Sequence, residues 1–123
     1  MPTAKRDIIR MRHMLDAALK ATLFTKGKSR NDLNSNEQLS LALVRLVEIL
    51  GEAAAKVSSN IQQRYADIPW RQIIGTRNRL IHGYEDVNLD ILWQIITHDL
   101  PPLTKMLQSA IESEEQNEQQ KLF

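Results

Sequence analysis

The stretch NEQLSLALVRLVEILGEAAAKV, residues 36–57, decides the fold. Its apolar residues Leu39, Leu43, Leu46, Val47, Leu50 and Ala54 recur at intervals of three and four, which is the stripe of a helix and not the alternation of a strand. A stripe this broad suits the central position of a helical bundle. Ser35 stands ahead of it as an N-cap, with Gln38 as its capping-box partner. Upstream, Ile8, Met11, Leu15, Ala18, Leu19 and Thr22 repeat the same spacing and predict a first helix over residues 5–24. Between the two, residues 26–34 carry Gly27, Ser29, Asn31 and Asp32 and read as a loop.

Downstream, residues 58–67 suggest a turn with one short helical stretch, and Pro69 then opens a third helix whose buried side is Trp70, Ile73 and Ile74. Gly83, Tyr84, Glu85 and Asp86 suggest a turn, after which Asn88 caps a fourth helix with Leu89, Leu92, Trp93 and Ile96 on its apolar face. Pro101 and Pro102 have no N–H to donate, so the helical ladder is interrupted there, and a fifth helix or kinked continuation runs to about residue 112. Residues 113–123 are Glu- and Gln-rich and predict a frayed end. Nothing alternates with period two for long. The expectation is an all-α, single-domain chain over residues 1–123, folded as an up-and-down bundle of four to five helices. Trp70 and Trp93 lie on apolar stripes, so core packing is favoured over base stacking.

The chain has 123 residues, enough for one modest core, and no cysteine, which excludes disulfides and thiolate metal sites and fits a reducing compartment. Its first dozen residues include five charged ones and no continuous apolar stretch, and no run of 18 uncharged apolar residues occurs. Neither secretion nor membrane spanning is expected, and the cytoplasm is the default location. The net charge is +1, but its distribution is uneven: residues 1–30 hold eight Lys and Arg against two acids, and residues 85–123 hold eight acids against two lysines. Two solvated helix faces account for this, and the alternative is a basic end that attracts a polyanion.

The segment Gly75-Thr-Arg-Asn-Arg-Leu-Ile-His-Gly-Tyr84 gathers two arginines, an amide, an imidazole and a phenol near one helix end. A guanidinium offers a fork of donors to a phosphate, and an imidazole with an unperturbed pKa of about 6.5 moves protons near neutrality. Those are the groups that cleavage of RNA by its own 2′-hydroxyl requires. Arg77 and His82 are five residues apart, roughly 140° around an ideal helix, so they do not share a face. Convergence needs the helix to end or bend near Ile81, or a second subunit to supply matching groups. From residues alone, surface charge at Arg77 and Arg79 and a dipole-stabilised His82 at a helix C-terminus are the favoured account of the segment. His13 and His98 are isolated and read as structural or solvent-facing.

Gly51-Glu-Ala-Ala54, Ile68-Pro-Trp70, Gly75, Arg77-Asn78, Leu80, His82, Tyr84, Val87, Trp93 and Leu100-Pro101 together resemble the HepT-like branch of the HEPN superfamily in order and spacing. The resemblance spans residues 7–107, and its core is Arg, four residues, His, one residue, Tyr, met by Arg77, His82 and Tyr84. Asn88 stands where relatives often carry Asp; both residues cap helices.

The resemblance implies a homodimer whose two motifs face one cleft, acting as a metal-independent endoribonuclease toxin of a type VII toxin–antitoxin system. It implies Arg77 and His82 as catalytic residues, with the phosphate held by Arg77 and the proton moved by His82. Asn78 and Arg79 would support RNA binding, and Glu52 either anchors Arg77 or Arg79 from behind or forms a structural ion pair within the bundle. The implied partners are RNA, with tRNA as the candidate class, and a cognate MntA-like minimal nucleotidyltransferase antitoxin that AMPylates Tyr84. No cofactor, metal or membrane is implied. The alternative is a catalytically inactive HEPN module that binds nucleotide or RNA, or serves as a scaffold.

Overall fold

The structure is a computed structural model that describes residues 3–80 and 86–121. Apart from an isolated bridge at Val87, its regular elements are helical. They are α1 (Thr3–Thr25), α2 (Asp32–Ser35), α3 (Glu37–Ala55), α4 (Ser59–Arg64), α5 (Trp70–Ile74), α6 (Thr76–Leu80), α7 (Leu89–Gln94), a π-helical turn (Ile95–Asp99) and α8 (Leu100–Lys121).

α1 packs along both α3 and α8, and α5 and α6 pack on α3. The chain direction alternates. Asp7 near the start of α1 accepts hydrogen bonds from Ser58 N (2.8 Å) and Ser58 Oγ (2.7 Å) just beyond the end of α3, so α1 and α3 are antiparallel. Arg12 pairs with Glu115 at 2.6 Å, which sets α8 antiparallel to α1. Gly51 of α3 lies against Ile73, and Glu48, three residues earlier, meets Arg77, four residues later, so α5–α6 runs back up α3. The result is the all-α, up-and-down bundle expected from the apolar periodicities. Its centre is closed by Met11, Met14, Leu43, Leu80, Leu92 and Leu107, all fully buried. Trp70 is buried and Trp93 packs against this core, as their stripes required.

Several local features differ from expectation: Leu19 and Ile74, expected on buried stripes, are exposed. The N-cap of α3 is Asn36, not Ser35: Asn36 is extended at φ −125° and its side chain accepts from Leu39 N at 3.1 Å. Ser35 instead closes α2, which begins at Asp32 inside the stretch 26–34 expected to be a loop. The third helix is broken after Ile74, where Gly75 ends α5 and its carbonyl accepts Asn78 N (3.1 Å) and Arg79 N (3.3 Å) to start α6.

At the prolines the structure has the continuation, not a separate fifth helix. Pro101 and Pro102 cannot donate to Thr97 and His98, and the preceding turn widens so that Leu100 N bonds Ile95 O, five residues back. α7, the π turn and α8 therefore form one rod. The frayed end expected from Ser113 is instead helical to Lys121, with Ile111 and Glu114 buried. Glu114 accepts two bonds from Arg64 Nη1 (2.8 and 2.9 Å) and one from the Tyr65 hydroxyl, which ties α8 to α4. The acidic tail also neutralises part of the basic first helix through the Arg12–Glu115 pair. Among the described residues, no helix is long and apolar enough to cross a membrane.

Candidate active site

α6 is short but firmly seated. Thr76 and Leu80, four residues apart, both point inward: Leu80 is fully buried, and Thr76 donates its hydroxyl to Gln72 O at 2.9 Å. With those two faces fixed, Arg77, Asn78 and Arg79 are left exposed on the remaining arc. The close fit of α5 on α3 sets how far this arc stands from the bundle. A Cβ on Gly51 would lie 3.1 Å from Ile73 O, so any larger residue would push the two backbones apart by a few tenths of an ångström.

Arg77 extends along α3, its side chain 71% exposed, with Nε 3.8 Å from Glu48 Oε2. The anchoring acid is thus Glu48 and not Glu52, one turn further on. Glu52 is exposed and pairs with Arg45 at 3.5 Å. Both acids were visible in the sequence, but the register of α6 on α3 decides which one an arginine meets. Arg79, about 200° around the helix from Arg77, faces the opposite side and lines a cavity with His98 and Asp99 of the π turn. The two arginines therefore do not converge on one point of this protomer.

Leu80 O accepts the N–H of Asn88 at 2.9 Å, so the end of α6 and the start of α7 lie side by side. Asn88 then caps α7 by accepting from Ile91 N at 3.1 Å, as read from the sequence. His82 and Tyr84 lie outside the described residues. Among the described residues, no group of three or more His, Asp or Glu is arranged to hold a metal ion.

The family model "Ribonuclease HepT-like" matches residues 14–110. "Putative RNase MJ1380" of Methanocaldococcus jannaschii is 31% identical over 103 residues, covering 83% of this chain and 94% of that protein. "Putative RNase TTE0752" of Caldanaerobacter subterraneus is 35% identical over 89 residues, covering 72% and 80% of the two chains. "Probable ribonuclease HepT" of Thermococcus cleftensis is 31% identical over 80 residues, covering 65% and 73%. No solved structure matches the chain.

Proposed function

Because the chain belongs to the HepT-like ribonuclease family, we propose that it is an endoribonuclease toxin whose chemistry is carried by Arg77 and His82. The observation that supports this most is the seating of α6. Its buried pair Thr76 and Leu80 holds Arg77 outward, immediately ahead of the segment that supplies His82. In this reading Arg77 binds the scissile phosphate and stabilises the charge that develops on it. His82 takes the proton of the neighbouring 2′-hydroxyl, whose oxygen attacks phosphorus. The bond from phosphorus to the 5′-oxygen breaks, and that oxygen receives a proton from His82 of the partner subunit in a homodimer. The products are a 2′,3′-cyclic phosphate and a free 5′-hydroxyl. The electron flow closes without a metal ion, and Asn78 orients the phosphate or the imidazole.

Regulation follows from the same charges. AMP placed on Tyr84 by a nucleotidyltransferase antitoxin brings a phosphate into competition with RNA for Arg77, the signature of a type VII toxin–antitoxin pair. The test of the reaction is chemical. Total RNA incubated with the purified protein and EDTA should yield fragments with cyclic phosphate and 5′-hydroxyl ends. Intact RNA, or fragments with 3′-hydroxyl ends, would overturn the reading.

Glu48 tempers the arginine. A half-exposed pair at 3.8 Å contributes under about 1 kcal/mol and competes with an incoming phosphate. Glu48→Gln should therefore tighten binding of a non-cleavable 2′-O-methyl oligonucleotide about two- to fivefold at low salt, read by fluorescence anisotropy, with the gain fading as salt is raised.

A further inference from the structure

On the side of α6 away from Arg77, a cavity of about 220 Å³ opens between α5–α6 and the π turn. Its floor is the buried apolar lining, with Leu50, Ile95 and Leu103, and its exposed rim carries Gln72, Arg79, His98 and Asp99. We infer that this cavity is a nucleobase subsite selective for guanine. The RNA-bound form of the inference rests on the ribonuclease reading above; the base preference itself does not.

Three observations lead to it. The cavity combines an apolar floor with a few polar groups of opposite charge, the usual composition of a site for a flat heteroaromatic ligand. One wall is the π turn Ile95–Asp99, a rare backbone form that concentrates at functional sites, and it places His98 and Asp99 together at the rim. Arg79 shares its helix with Arg77, so one RNA strand crossing α6 meets both, a distance set by a helix diameter of about 10–12 Å.

The choice of base follows from the donors and acceptors. A carboxylate offers two acceptor oxygens and no donor, and a guanidinium offers donors alone. Guanine presents two adjacent donors, N1–H and the N2 amino group, which match Asp99. It also presents O6 and N7, which match Arg79. Adenine and cytosine each place an acceptor nitrogen beside their amino donor, opposing the carboxylate, and uracil has one donor flanked by two carbonyls. Guanine alone satisfies both rim charges.

The test uses labelled 2′-O-methyl hexanucleotides, which bind but cannot be cut because the attacking oxygen is blocked, with a single guanine placed at each position in turn. Anisotropy should give about tenfold tighter binding at one position for guanine than for adenine, the discrimination expected of one bidentate pair, with inosine between them. Asp99→Asn should abolish that preference, because the amide replaces an acceptor with a donor. Arg77→Ala should weaken every oligonucleotide alike and keep the preference. Free GMP is the competitor. Displacement of the hexanucleotide only at concentrations tenfold or more above its own Kd assigns the site to RNA, and displacement at equal concentration assigns it to a guanine nucleotide. Equal binding of guanine and adenine hexanucleotides, or a preference retained in Asp99→Asn, would sink the proposal. A guanine preference in a protein that does not cut RNA would keep the subsite and remove the catalytic reading.

Discussion

Replacing Arg77 by alanine should lower the rate of RNA cleavage about 100- to 1000-fold at saturating substrate, the loss that follows removal of one preorganised donor to a developing oxyanion. The melting temperature should stay within a degree or two. The side chain is 71% exposed and its contact with Glu48 is long, so little folding energy depends on it. Arg77→Lys should recover only part of the rate, since a point charge does not replace a bidentate fork. His82→Ala should cost a similar factor for a different reason, the loss of proton transfer, and should flatten the pH–rate profile near the histidine pKa where Arg77→Ala does not. A mixed dimer of the two alanine variants keeps one Arg77 and one His82, so on the two-histidine reaction it lacks either the base or the acid and should stay as slow as His82→Ala; recovered activity would mean that one imidazole serves both proton transfers. Unchanged cleavage by Arg77→Ala would remove the guanidinium from the mechanism.

That pair of variants probes residues the sequence already singled out, and it marks the limit of what spacing can say. Periodicity located the long helices because most of the stripes at Ile8–Thr22 and Leu39–Ala54 closes the core, although Leu19 is exposed and Met14, Ala17 and Ala21 are buried in its stead. It placed Asn88 as a cap because a capping side chain acts on backbone three residues away. The choice between Ser35 and Asn36 was beyond it, since both residue types cap and only the extended backbone of Asn36 distinguishes them. The choice between Glu48 and Glu52 was also hidden. It depends on where α5 crosses α3, and that crossing is set by the backbone contact at Gly51. The two prolines were read correctly as a disturbance of the ladder. Their consequence, a widened turn that continues the rod and forms a cavity wall, needs the packing of α8 against α1 to hold the helix together. Arg77 and Arg79 looked like one cluster in sequence. On a helix they are opposed, Arg77 beside Glu48 and Arg79 beside His98 and Asp99.

The frayed tail is the most instructive disagreement, because the residue that reverses it resembles a surface residue. Glu114 occupies the next core position after Leu103, Leu107 and Ala110, yet it is a carboxylate that is only 3% exposed. Burial alone would push its pKa up, but hydrogen bonds from Tyr65 and Arg64 outweigh burial and hold it below the ordinary value of 4.5. The Tyr65 phenol is pushed up in turn, by burial first and then by the neighbouring carboxylate. Glu114→Ala should therefore cost about 2–3 kcal/mol, less than for a fully buried ion pair because the Arg64 side chain is 53% exposed. For a domain of this size that is a fall of about 10 °C in Tm, and α8 should lose protection from amide exchange beyond Ile111. Glu115→Gln, one residue on and paired at the surface with Arg12, should shift stability by less than about 1 kcal/mol. The pH dependence has a definite sign. A carboxyl whose folded pKa lies below its unfolded value adds stability above the unfolded value, and that stability is lost as pH falls through the folded one. The stability gap between the natural chain and Glu114→Gln should thus be full at neutral pH and shrink steadily below about 4.5. Urea unfolding at a series of pH values measures it, and a gap that stays constant into acid would show that shape at position 114, rather than charge, fastens the last helix.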